Sequence, residues 1–305
     1  MAMLKERMGL KMTAIFKFVI ANVFFVFPGF SFSQYPPTSL YLFETDFEND
    51  SLFLYNVQYI SGFNVNGYNN QPYFFSENEL YISSNAFDTS GIEIALLNLS
   101  RKSVYRVTDT YEKEFSPTLS PSGKHISCIR IERNGRDQSL WLYPIDRSFG
   151  GHRLLPEIEN VGYHIWIADD ELALFLVGNP NQLVIANIST EEVTQIQTHI
   201  GRCFKMNQNG ELIFVHKLSP STWYLKSYDF STNTSTLITS TLPGKEDFEI
   251  LPDGSILMGS GSALYRYKKN YSGWQQVDDL SDAGISNITR LTMSAGRLAV
   301  VNADE

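Results

Sequence analysis

Apolar and polar residues alternate with a period of two along most of this chain, and the alternation breaks roughly every six to ten residues at a cluster of Gly, Pro, Asn, Asp or Ser. Beyond Gln34 a helical period of 3.6 never lasts more than a turn, which predicts an all-β fold. The clearest unit runs from Tyr111 to Asp146. A short strand, Phe115 to Leu119, meets a tight turn at Ser120-Pro121-Ser122-Gly123-Lys124 and returns as an alternating strand from His125 to Glu132. Proline presets φ for the second turn position, and a glycine two places on takes the positive φ that closes the hairpin. Asn134-Gly135 turns the chain again into Ser139 to Asp146.

The same opening hairpin recurs. Tyr73 to Ile82, Pro117 to Ile129, His164 to Leu174, Phe204 to Val215, Phe248 to Met258 and Ile288 to Val301 align on their turns, at spacings of roughly 40 to 48 residues, the range of a four-stranded propeller blade. Third strands follow at Ile92–Leu99, Leu140–Ile145, Leu183–Ile188, Trp223–Tyr228 and Leu264–Tyr267. Fourth strands such as Val104–Thr108 and Trp274–Val277 are more polar, as a solvated outer edge requires. After the sixth hairpin the sequence is two strands short of a blade, whereas two strands, Leu40–Thr45 and Ser51–Ile60, precede the first. Placing this N-terminal pair outside the C-terminal pair completes a sixth sheet and closes the ring. A β-sandwich is the competing arrangement of the same strands.

Phe115-Ser116-Pro117-Thr118-Leu119-Ser120-Pro121-Ser122-Gly123-Lys124, followed by Leu140-Trp141-Leu142-Tyr143-Pro144-Ile145-Asp146, resembles the repeat of TolB-like propellers. Leu251-Pro252-Asp253-Gly254 repeats its turn, and Asn69-Asn70-Gln71-Pro72 looks like the start of such a blade. The resemblance spans residues 34–305 and is specific in two or three blades. It implies a six-bladed propeller of an exported, protein-binding kind, without the additional N-terminal α/β domain of TolB.

Residues 1–33 differ from the rest. Lys5, Arg7, Lys11 and Lys17 precede or punctuate the apolar run Phe18–Phe27, and Ser31-Phe32-Ser33 offers small residues before Gln34, which is the pattern of a cleaved signal peptide. An uncleaved anchor is the competing reading. The expected location is periplasmic or secreted, as a monomer without a membrane span after cleavage. In that setting Cys128 and Cys203, two repeats apart, are expected to remain unpaired as small hydrophobes. A formal charge of −9 without a basic cluster argues against nucleic acid and anionic lipid.

No Gly-x-Ser-x-Gly, His-Glu-x-x-His, phosphate loop or paired Cys-x-x-Cys occurs, and the five histidines are dispersed. No catalytic residue and no cofactor is therefore assigned. The loops that lead from the outer strand of one blade to the inner strand of the next all open on one end of a propeller. They carry Asn69, Asn70, Gln71, Glu112, Glu114, Tyr163, His164, Arg202, Glu246, Asp247 and Asn287, polar and aromatic groups suited to recognising a protein, peptide or glycan. His164 is expected beside the Glu114 carboxylate as a readily protonated contact, with Trp166 in the core. The alternative is a lactonase-like hydrolase in which Glu114, Asn70, Asp247 and Asn287 hold a divalent cation such as calcium.

Overall fold

In the computed structural model of the chain, residues 35–87 and 91–303 are described, so the predicted signal peptide lies outside the described residues. Among them, six four-stranded antiparallel sheets form a ring of blades. The first two strands, β1 (Thr38–Glu48) and β2 (Ser51–Tyr59), wait for the last blade. Blade 1 comprises β3 (Asn69–Ser76), β4 (Glu79–Ser84), β5 (Glu93–Asn98) and β6 (Ser103–Arg106). Blade 2 follows with β7 (Lys113–Leu119), β8 (His125–Ile131), β9 (Gln138–Pro144) and β10 (His152–Leu154). Blade 3 holds β11 (Val161–Trp166), β12 (Glu171–Leu176), β13 (Gln182–Asn187) and β14 (Val193–Thr198), and blade 4 β15 (Ile200–Met206), β16 (Leu212–Ser219), β17 (Thr222–Asp229) and β18 (Thr234–Ser240). Blade 5 is β19 (Glu249–Ile250), β20 (Ile256–Ser260), β21 (Ala263–Tyr267) and β22 (Gln275–Asp279); β23 (Ile288–Ser294) and β24 (Arg297–Ala303) end the chain.

The sixth blade has the order β2-β1-β24-β23, so the N-terminal pair forms its two outer strands as the missing strands at the chain ends require. The β1–β24 register runs from Thr38 opposite Ala303 to Glu44 opposite Arg297. The turn between β1 and β2 is pinned to blade 5, where the buried Arg266 donates to the Asp50 carbonyl over 2.5 Å and also reaches Asp253 and Ser255. The antiparallel hairpins of the sandwich alternative are present, but they are arranged as a ring.

Because both faces of each blade meet a neighbour, alternate residues of a strand enter different cores. On β8, Ile126 and Cys128 pack with Tyr81 and Ile94 of blade 1, whereas Ile129 packs with Leu172 and Leu174 of blade 3. Cys128 and Cys203 are both free and buried in separate clusters, matching the expectation for small hydrophobes. No helix among the described residues is long and apolar enough to cross a membrane.

Inner strands carry β-bulges near the loop end of the ring, at Asn70/Tyr73, Phe115/Thr118, Val161/Tyr163, Ile200/Phe204 and Ile288/Arg290. In blades 1 and 2 the bulge falls at Gln71-Pro72 and Ser116-Pro117, with Gln71 at φ 55° and Ser116 at φ 54°. A bulge re-aims the side chains around it. These two turn Gln71 and Ser116 into the axis of the ring.

Candidate functional site

Three cavities share lining residues and so form a channel along the ring axis. The loop-side funnel has a volume of about 460 Å³ and is lined by Tyr35, Tyr68, Asn70, Gln71, Phe115 and Arg202, among others. Gln71 and Arg290 then belong also to a waist of only about 50 Å³, lined by inner strands of five blades and by Asp247, just before the inner strand of blade 5. Tyr163 and Lys205 continue from the waist into a turn-side funnel of about 570 Å³ bordered by Pro121 and Ser294.

Local chemistry makes the waist narrow. The Gln71 side-chain oxygen accepts from Ser116 N and Ser83 Oγ, each at 2.8 Å, joining the inner strands of blades 1 and 2. Across the channel, the Asp247 carboxylate accepts from Leu291 N at 2.9 Å, and Glu249 accepts from Met293 N at 3.1 Å and Lys205 Nζ at 2.6 Å. Carboxylates of blade 5 thus serve backbone donors of blade 6, in place of a longer inner strand. Burial raises the Asp247 carboxyl above the ordinary aspartate value, a shift opposed by Arg290. Burial works against the charge of Lys205, but Glu249, Cys203 and Tyr163 together outweigh it, raise its pKa and keep the ammonium protonated. Tyr163 is buried, which raises its phenol pKa.

Of the residues singled out from the sequence, Asn70, Gln71, Tyr163, Arg202 and Asp247 do line the channel. Glu246 stands beside it, paired with Arg202 at 3.2 Å and Lys217 at 2.6 Å, and borders a side pocket of about 140 Å³ with Asp247. The others are occupied elsewhere. Asn69 is buried and donates to the carbonyls of Thr38, Asn64 and Gly67, stitching the first blade to β1. Glu112 is buried and paired with Arg130 at 2.8 Å and Arg133 at 2.7 Å. The Asn287 amide nitrogen donates to Asn302 Oδ1 at 2.8 Å, and its side chain borders none of these cavities.

His164 and Glu114 require correction, because neither is a neighbour of the channel mouth. His164 is fully buried, with Nε2 2.7 Å from Ser127 Oγ of blade 2. That hydroxyl also accepts from Trp166 Nε1 and donates to the Thr118 carbonyl, so its second lone pair is left for an Nε2–H of a neutral imidazole. Far from being readily protonated, His164 has its pKa lowered to about 3 by burial. The alternation was as expected, with His164 and Trp166 on one side and Tyr163 on the other, but the first side faces blade 2 and the second faces the channel. Glu114 is also fully buried, at the contact of blades 1 and 2, where Thr110 Oγ1 donates to it at 2.5 Å. Burial raises its pKa to about 7, against the Thr110 hydrogen bond and with help from nearby Glu93.

These two groups tilt stability in opposite directions. A depressed histidine contributes stability that is present above its unfolded value near 6.5 and is lost as pH falls, here about 2 kcal/mol between pH 7.5 and 5. A raised glutamate contributes stability that is present below 4.5 and is lost as pH rises through about 7. Denaturant midpoints measured at pH 7.5 and 5 should therefore show that His164→Asn removes an acid-side loss of about 2 kcal/mol, whereas Glu114→Gln removes an acid-side gain of similar size. Parallel pH profiles for the two variants would contradict the burial of both groups.

The four oxygen ligands of the hydrolase alternative do not converge: Glu114 is held by Thr110 and Tyr143, Asp247 by blade 6, and Asn287 lies outside the channel. Among the described residues no three His, Cys, Asp or Glu side chains are grouped to hold a metal. Sequence reading missed Tyr35, Tyr68, Phe115, Lys205 and Arg290, which complete the funnel and waist.

No family model matches the chain, and no curated protein matches it. Solved structures do. A protein described as TolB from Agrobacterium tumefaciens superposes with a TM-score of 0.66 at 10% identity, covering 88% of this chain and 99% of that one. TolB from Acinetobacter baumannii gives 0.56 at 13% identity, over 88% of this chain and 64% of its own. A puromycin-hydrolyzing peptidase from Mycobacterium tuberculosis gives 0.52 at 9% identity, over 78% of this chain and 42% of its own. At such identities the likeness is one of fold, and that fold is the TolB-like six-bladed β-propeller.

Proposed function

We propose that this propeller is an exported, non-enzymatic binding module that recognises a protein, peptide or glycan at the loop-side funnel. The observation that carries the reading is the shape and chemistry of the channel: an open funnel of about 460 Å³, walled by aromatic, amide and arginine side chains, stands on a waist of about 50 Å³. A partner can seat a projecting group there without passing through. Three rings, Tyr35, Tyr68 and Phe115, lie 5.4 to 6.2 Å apart and give a preformed apolar wall of low entropy cost. Resemblance to TolB-like propellers and the signal-peptide pattern of residues 1–33 support action outside the cytoplasm, in the periplasm or beyond, as a monomer.

The test compares the two ends of the channel. Arg202 has a side chain 54% exposed at the loop-side rim, and Ser122 is an exposed turn residue at the other end. Immobilised parent, Arg202→Ala and Ser122→Glu proteins are offered envelope and secreted material, and bound species are quantified. Arg202→Ala should lose about tenfold in capture with stability changed by less than about 1 kcal/mol, while Ser122→Glu captures as the parent does. Equal capture by all three overturns the assignment.

A further inference from the structure

The loop-side funnel has a cationic wall in a chain of net charge −9: Arg202 and Arg290 belong to it, and among the described residues no carboxylate does. Among the described residues, the hydrogen-bond partner of Arg290 is a long contact, Nη1 to Asp247 Oδ2 at 3.4 Å, and that carboxylate is already engaged by Leu291 N. Most of the Arg290 guanidinium donors therefore remain for a ligand. Arg202, a residue of the funnel wall, reaches Glu246 through Nε at 3.2 Å, which leaves its terminal nitrogens for a ligand. Lys113 adds a third cation at the rim, with Nζ 5.0 Å from the centre of the Tyr35 ring. A guanidinium fork matches a planar carboxylate, which can accept two hydrogen bonds from it.

The rest of the wall says what the carboxylate is attached to. The same wall holds Tyr35, Tyr68, Phe115 and Ile131, an apolar surface suited to a hydrophobic side chain, and the amides of Asn70 and Gln138. The waist, with room for little more than a water or two, lets no chain continue. What binds must end in the funnel.

We propose that the funnel captures the free C-terminal carboxylate of an extended peptide, seated between Arg290 and Arg202, with an apolar last side chain against Tyr35, Tyr68 and Phe115. This deepens the binding reading above and rests on it. Backbone amides of the last residues then meet Asn70, Gln71 and Gln138, in the manner of other sites that recognise chain ends.

The probe is the hexapeptide Gly-Ser-Gly-Ser-Leu-Phe, titrated calorimetrically into the full chain as the free acid and as the C-terminal amide, with trigalacturonate as a carboxylate of another source. The free acid should bind, and amidation should weaken it about tenfold or more, as should Arg290→Met made together with Asp247→Asn so that no carboxylate is stranded. Arg202→Met, at an exposed position, should weaken the acid severalfold with its thermal midpoint unchanged and leave the amide unaffected. If the double variant fails to fold, amidation and Arg202→Met decide. Equal binding of acid and amide, tighter binding of trigalacturonate, or no binding of the acid at millimolar concentration overturns the inference. Equal binding of acid and amide that Arg202→Met weakens would still leave the funnel a binding surface, whereas equal capture by the rim variants removes the proposed function itself.

Discussion

A chain lacking residues 40–60 should not unfold cooperatively at all. Those residues supply most of β1 and all of β2, the outer half of the sixth blade, and with them the partner of β24. Leu40 and Leu42 are buried against Leu80 and Ile82 of blade 1, while Phe43 and Leu52 are buried against Leu257 and Leu264 of blade 5. Each such side chain contributes about 1.5 to 3 kcal/mol when buried, so four of them approach the whole stability of an ordinary domain, about 5 to 15 kcal/mol. The deletion also bares the edge of β24, whose unpaired backbone groups invite aggregation. Calorimetry and size-exclusion chromatography of the truncated protein check this: a cooperative transition at the parent temperature would show that the ring is held without its N-terminal strands.

Ile129→Ala should cost about 2 to 5 kcal/mol, the range for large-to-small changes in a packed core. The side chain is 2% exposed and fills the contact of blades 2 and 3 with Leu140, Leu172, Leu174 and Val184. It lies on a second strand, hydrogen-bonded on both sides, where the backbone has little freedom to collapse into the void. Val193→Ala on the outer strand of blade 3, 46% exposed, should change stability by less than about 0.5 kcal/mol. A denaturant midpoint for Ile129→Ala no lower than that of Val193→Ala would place Ile129 outside the core.

The ring was legible because its determinants are local and repeated. Pro121-Ser122-Gly123 and Pro252-Asp253-Gly254 mark their turns by backbone chemistry alone, and the missing strands at the two ends leave a single closed arrangement. The site was half legible. Asn70, Gln71, Arg202 and Asp247 follow from the loops that open on one end of any propeller, but the direction of a side chain at a strand's first residues does not. A bulge of one residue exchanges the two faces of a strand, and bulges stand at the start of most inner strands here. His164 and Glu114 therefore read as mouth residues although they lie between blades. Arg290 shows the converse: an arginine inside a strand reads as an outward-facing polar position, and only the closed ring turns it toward the axis.

The pairing of β1 with β24 also orders events in time. Thr38 and Ala303 are neighbours across a sheet yet far apart in sequence, so their contact closes a loop that contains blades 1 to 5. Loop-closure entropy and long-range strand pairing make such a contact slow to form. During synthesis the first hairpin, with Leu40, Leu42 and Phe43 uncovered, has no partner until the last strand has been made. Blades 1 to 5 can be assembled from consecutive sequence as it emerges, but the sixth cannot be completed before β24 has emerged.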